Sequence, residues 1–291
     1  FSPDVRRVFV LGVPGVLAAG VMQINLLVGT NIASAQPGAA AWLYYADRLY
    51  QLPLGVIGVA LSVALLPDIS RRMRAGDKVG AVGSQNNGLA YGLLLTIPAS
   101  LGLFVLAEPI MSVLFERGSF TQGDTRAAAL ALMGFAPGLV AFVLVKILQP
   151  SFFSQEDTKT PLFYAALGVG VNITISLLYF PTFGHVAIAV ATSLAGWVTL
   201  LAMAVHLSLT GWRVDGLFLR RLMVMTLAGV AMGGFLMALT PPLGAGFSAL
   251  ASWLITHIVL ASGLYFVGLA VLSHFVLPQG VAGWRQMSQG G

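Results

Sequence analysis

Apolar residues fall in eight long blocks along the 291-residue chain, separated by short polar segments. The blocks cover 8–33, 42–66, 89–115, 127–148, 161–179, 186–209, 222–239 and 247–276. Each is long enough to cross a hydrocarbon core of about 30 Å as a helix, which needs roughly 20 apolar residues. None alternates apolar and polar positions with period two, so a β-barrel is disfavoured. The pattern predicts an all-α, polytopic membrane helix bundle of about eight spans.

Charge placement orients those spans. Eleven of the fifteen Lys and Arg residues lie in alternate loops or tails: Arg6, Arg7, Arg71, Arg72, Arg74, Lys78, Lys159, Arg213, Arg220, Arg221 and Arg285. The other loops hold only Arg48, Arg117 and Arg126, and Lys146 sits inside an apolar block. Cytoplasmic loops are enriched in cations, so the rich side is expected to be cytoplasmic, with both chain ends there. A net charge of +5 suggests nucleic acid at first sight. The cations sit at helix ends, where membrane topology accounts for them, and no nucleic-acid partner is expected.

Composition narrows the class further. At 57% hydrophobic and 9% charged residues, the chain cannot form a soluble domain, for which roughly 25% charged is usual. With no cysteine, disulfides and thiolate metal sites are excluded. The chain opens Phe1-Ser2-Pro3-Asp4 without Met or a secretory signal, and reads as one that starts within a longer protein.

Glycine and proline punctuate the blocks at Gly12-Val13-Pro14-Gly15, Pro53 and Gly55, Pro98, and Pro137-Gly138. Two explanations are open: close helix packing through small residues, or the broken helices of transporters. Polar residues are frequent in the first six blocks and scarce in the last two. This divides the chain into a six-helix lobe over 1–210 and a peripheral, lipid-facing pair with its tail over 211–291.

Ionisable groups within a membrane usually face a cavity. Asp47 and Arg48 stand about 100° apart on a helix, and Gln51, three residues on, shares the face of Arg48. The Arg fork suits phosphate oxygens. The competing account has Arg48 snorkelling beside an aromatic belt of Trp42, Tyr44, Tyr45 and Tyr50. Lys146 has the same two alternatives, cavity or snorkelling to the near interface. Asn172 and Ser176, four residues apart, share a face, and Thr192 is positioned to meet them. As a cation site this set is weak, since it lacks a carboxylate; interhelical hydrogen bonding is the simpler account. His185, His206, His257 and His274 have no metal-ligand spacing. With no phosphate-binding glycine loop or nucleophile triad either, a transporter is expected rather than an enzyme, without a cofactor.

Three stretches resemble the MurJ (MviN) family of lipid II flippases, part of a superfamily (MOP) that includes the MATE exporters. The first runs from Tyr44-Tyr45-Ala46-Asp47-Arg48-Leu49-Tyr50-Gln51-Leu52-Pro53 to Leu66-Pro67-Asp68-Ile69-Ser70. The second is Leu114-Phe115-Glu116-Arg117-Gly118-Ser119-Phe120 with Asp124-Thr125. The third is Phe153-Ser154-Gln155-Glu156-Asp157-Thr158-Lys159-Thr160-Pro161. The resemblance implies a MATE-like C-terminal lobe plus a peripheral helix pair, the last eight of fourteen helices, with six N-terminal helices of the same protein as partner. It implies translocation of lipid II, an undecaprenyl-pyrophosphate-linked peptidoglycan precursor, across the bacterial inner membrane. In that scheme Arg48 lines a cavity and helps hold the pyrophosphate, and the last helix pair forms a groove for the lipid tail; Asp47, Gln51 and Lys146 are the further substrate-binding candidates among the residues singled out above. Many relatives carry an acid at the position of Gln51, and some carry acids near Gly29 and Ser176. A MATE-like exporter of amphiphilic cations is the alternative; it wants cavity carboxylates, for which only Asp47 qualifies.

Overall fold

The computed structural model describes residues 20, 23–242 and 246–276. Arg6, Arg7, Arg285 and the Gly12–Gly15 motif lie outside them, as does most of the predicted 8–33 span. Helix α1 occupies 23–33. It is followed by α2 (Ala39–Pro53), a π-helical turn (Leu54–Val59), α3 (Ala60–Arg74), α4 (Lys78–Val105) and α5 (Ala107–Phe115). Then come α6 (Gln122–Phe153), α7 (Lys159–Phe183), α8 (His185–Leu209), α9 (Gly216–Met237) and α10 (Phe247–Val276). Counting α2 to α3 as one, seven helices among the described residues are long and apolar enough to cross a membrane. The protein is a multi-pass membrane protein with an all-α bundle fold.

Helix α6 is the axle. It is apolar on every side and contacts α2, α4, α5 and α8, and a helix hydrophobic all round belongs in an interior. Small residues bring its neighbours close. A Cβ on Gly134 would lie 2.8 Å from Ala189 Cβ, and one on Gly196 would lie 2.7 Å from the Phe142 ring. Close approach through glycine is how membrane helices gain packing without a hydrophobic drive between them. Helix α9 lies on α4, where Gly229 faces Ile97 and Leu101. Helix α10 pairs with α9 and reaches α5, and the Tyr265 hydroxyl donates to the Leu94 carbonyl at 3.1 Å.

Helices run past the apolar blocks at the end bearing Arg71 to Lys78, termed the basic end below. The predicted 89–115 span differs most. It is two helices, and the first starts eleven residues earlier, at Lys78, capped by Asp77 accepting from the Gly80 amide at 2.8 Å. Pro109 has no N–H to return to the Val105 carbonyl, so the helix is interrupted at Leu106 and α5 begins with Pro109 in its first turn, where that loss is tolerated. The polar start of α4 is helical because its side chains are consumed by four different neighbours. Ser84 donates to Asp68 at 2.5 Å, and Gln85 donates to the Ile147 carbonyl at 2.8 Å. Asn86 donates to the Arg213 carbonyl and accepts from Trp212, while Asn87 accepts from Arg221. Successive residues on a helix point about 100° apart, so this tetrapeptide ties α3, α6, the α8–α9 connection and α9 together.

Candidate substrate-binding face

Arg48 lies on α2, nine residues from its start at the end opposite the basic one. Its side chain is exposed, and its guanidinium carbon sits 4.7 Å from the centre of the Tyr44 ring, within cation–π range. The aromatics around it do not form a belt. Trp42 donates to Asp124 at 2.8 Å and stacks edge-on against His185. Tyr45 packs on Phe115 and Phe120, and Tyr50 is buried against Phe135 and Phe142. Three of the four turn into the lobe, and Tyr44 alone stays with Arg48 on the open face.

The neighbours of Arg48 are arranged so that it keeps its fork. Gln51 does not turn to Arg48; its amide donates to Asp47, the i,i+4 partner. Among the described residues no carboxylate lies within 4.0 Å of the Arg48 guanidinium. The exposed side chains Tyr44, Arg48, Leu52, Val56, Val59 and Val63 continue down α2, the π turn and α3 as one stripe. It is an apolar face with a single cation near its top.

Lys146 is on α6, half-buried and well separated from Arg48. Its stem lies over Gly58 in the π turn: a Cβ there would be 3.1 Å from Lys146 Cδ. The four side chains singled out from the sequence therefore fall into two groups, Asp47, Arg48 and Gln51 together and Lys146 apart.

The neutral set also divides. Asn172 donates to Asn25 of α1 at 2.9 Å, and Ser176 donates to Asn172 at 3.2 Å. Thr192 instead donates to the Ile188 carbonyl of its own helix at 2.9 Å. Asn172 and Ser176 thus act as an interhelical hydrogen-bond chain, and Thr192 does not join them. Glu116 accepts from Thr125, and Asp124 forms a capping box with Thr121, so both are helix-end residues. No group of three His, Cys, Asp or Glu suited to a metal occurs among the described residues.

A cavity of about 160 Å³ opens at the basic end, lined by Lys78, Gln85, Ser151, Gln155 and Trp212 among others. It lies far from Arg48, and Gln85 and Ser151 are already bonded to each other at 2.6 Å. The sequence did not single out Ser193, which proves central to α6. Its hydroxyl accepts from the Gly138 amide at 3.0 Å and donates to the Gly134 carbonyl at 2.6 Å. These two backbone groups are four residues apart, so the hydroxyl spans one rung of the α6 ladder. The Pro137-Gly138 dipeptide was the available signal; which side chain answers it was not.

Comparison with known proteins agrees with this architecture. The family model described as "Lipid II flippase MurJ" matches residues 1–255. A "Probable lipid II flippase MurJ" of Rhizobium tropici is 40% identical over 274 residues, 92% of this chain and 51% of the relative. The corresponding protein of Vibrio cholerae is 35% identical over 282 residues, 95% of this chain and 52% of the relative. The chain thus spans about half the length of these relatives. Among solved structures, a lipid II flippase MurJ in an inward closed conformation superposes with TM-score 0.74 at 25% identity, over 87% of this chain and 51% of that one. A MATE transporter in an outward-facing conformation reaches TM-score 0.57 at 18% identity, over 98% of this chain and 67% of that one, a likeness of fold alone. With a family model covering most of its length and a bundle of the same architecture, the chain belongs to the MurJ family of lipid II flippases.

Proposed function

We propose that this chain is the C-terminal part of a flippase. The protein carries an undecaprenyl-pyrophosphate-linked peptidoglycan precursor from the inner to the outer leaflet of the bacterial cytoplasmic membrane. No bond is made or broken. The observation that carries this is the Arg48 fork, exposed on an apolar stripe of a membrane-length helix and with no carboxylate within 4.0 Å among the described residues. A diphosphate drawn out of water loses hydration worth many kcal/mol, and a guanidinium that is not already spent on a protein acid can replace part of it. The six helices that would face this stripe belong to the other half of the relatives' length, and rocking of the two halves exposes the cavity to each side in turn. The α9–α10 pair, with Ile255, Val259, Phe266 and Val267 exposed, would cradle the lipid tail. A cation exporter would need a cavity carboxylate free to bind its substrate, whereas Asp47 is engaged by Gln51.

The test is flipping of a polyprenyl-diphosphate lipid in vesicles containing a protein of family length that carries these residues. Arg48→Ala is expected to abolish flipping with expression intact, and Arg48→Lys to restore it only in part. Wild-type rates in Arg48→Ala would remove the proposal. Orientation is checked separately, since the chain lacks cysteine: cysteines at Arg74 and Arg213 should label from the cytoplasm, and one at Gly118 from outside.

A further inference from the structure

Arg48 and Lys146 stand at two different depths. Gly58, on which the Lys146 stem rests, follows Arg48 by ten residues, the second half of them in the π turn, so the two lie at most about 15 Å apart along the axis, the rise of ten α-helical residues. The Arg48 guanidinium leans further away, back over Tyr44. One diphosphate cannot touch both cations at that separation. We infer that Lys146 is a separate station on the transport path, one that captures the anionic headgroup on the basic side before Arg48 receives it. The inference rests on the proposed flippase function and adds to it a division of labour between two cations.

The direction of the lysine side chain supports a station rather than a snorkelling residue. Lys146 is seven residues from Phe153, where α6 ends on the basic side. A snorkelling side chain would turn that way. Instead its Cδ meets Gly58, and Gly58 lies level with Val143: a Cβ there would be 3.5 Å from Val143 Cγ2 and 3.6 Å from Val143 Cα. Val143 is about one turn back toward the middle of the membrane. The stem therefore runs inward, as helix geometry favours, since side chains tilt toward the helix N-terminus. Among the described residues the ammonium has no carboxylate or hydrogen-bond acceptor. A cation aimed into a membrane without a partner is costly unless a cavity and an anion meet it. Gly58 eases the placement, because a Cβ there would stand 3.1 Å from Lys146 Cδ and push the stem by a few tenths of an ångström.

Steady-state flipping of a polyprenyl-diphosphate lipid, again in a protein of family length, separates capture from passage. Lys146→Met keeps the length of the stem and its packing on Gly58 while removing the charge. Its apparent KM is expected to rise roughly tenfold, the scale of one charged hydrogen bond, with the maximal rate within about twofold of wild type. Lys146→Arg should return KM to near its original value. An unchanged KM in Lys146→Met, or a collapse of maximal rate at constant KM, overturns the station. Arg48→Ala run in parallel keeps the two ideas distinct. If it abolishes flipping while Lys146→Met is silent, only the station fails. If it flips normally, the function itself is wrong.

Discussion

Proline sits inside two of these spans with opposite outcomes: α6 runs unbroken through Pro137, whereas α2 gives way to a π-helical turn after Pro53. In α6, Pro137 lies in the packed centre. Ser193 bridges the Gly138 amide and Gly134 carbonyl, Trp197 donates to the Pro137 carbonyl at 3.1 Å, and Ser100 donates to the Ala136 carbonyl at 2.7 Å. Side chains from α8 and α4 thus bond the backbone around Pro137 from two directions. Between α2 and α3, Pro53 opens a π-helical turn of six residues, most of them at least partly exposed, with no side-chain hydrogen bond to its backbone among the described residues. Buried backbone groups must find partners; those on an open face need not find fixed ones. The same residue type lies in a clasped, continuous helix in one case and opens an unclasped turn in the other. Bending of this lobe is accordingly expected at the α2–α3 turn, between the levels of Arg48 and Lys146, while α6 stays rigid.

Crowding the clasp is the harshest way to test that contrast. At Gly138 a Cβ would fall 2.6 Å from Ser193 Oγ and 2.8 Å from its Cα. Backbone cannot yield as a side-chain tip can, so Gly138→Val should destabilise the protein by about 3 kcal/mol or prevent folding. Thermal unfolding in detergent would show it, and a melting point close to wild type would mean the two helices part easily.

Removing the hydroxyl is milder. Ser193→Ala leaves an amide and a carbonyl to re-form their own rung or remain unpaired, and about 1–2 kcal/mol of stability should be lost. Hydrogen exchange at Gly138 should quicken with it. If stability and exchange are both unchanged, the helix closes its own ladder and the clasp carries little.

The smallest effect on stability, and the most informative, is expected at the open turn. Nothing lies within 4 Å of a Cβ on Gly55, so Gly55→Ala should alter stability by less than about 0.5 kcal/mol. If the turn is the flexing element, flipping should nonetheless slow several-fold while lipid binding holds. Equal rates in the two proteins would locate the motion elsewhere.

How far the sequence foretold these elements varied by position for physical reasons. Apolar blocks placed seven described spans, because hydropathy reports what must contact lipid. The same blocks cut α4 short at 89, since Ser84, Gln85, Asn86 and Asn87 look like loop residues until their partners on four other elements are known. Pro137-Gly138 suggests a break, yet α6 runs through it, and the dipeptide does not reveal which side chains clasp it. Helical spacing puts Gln51 on the face of Arg48 and Asp47 about 100° away, and it cannot tell that Gln51 bonds Asp47 instead. Lys146 was grouped with them by charge alone, and no local pattern could give its depth relative to Arg48.

Local rules thus settled what each segment contributes by itself. The length of apolar runs makes membrane helices, and three family stretches identify the lineage. Tertiary structure decided everything that depends on which helix meets which. It turned three of four aromatics inward, joined Asn172 and Ser176 to Asn25 while leaving Thr192 to its own helix, and laid the Lys146 stem on Gly58. The physical reason is range. Burial in lipid is a property of a single helix, whereas hydrogen bonds and close packing act over a few ångströms between residues that the chain separates by tens of positions.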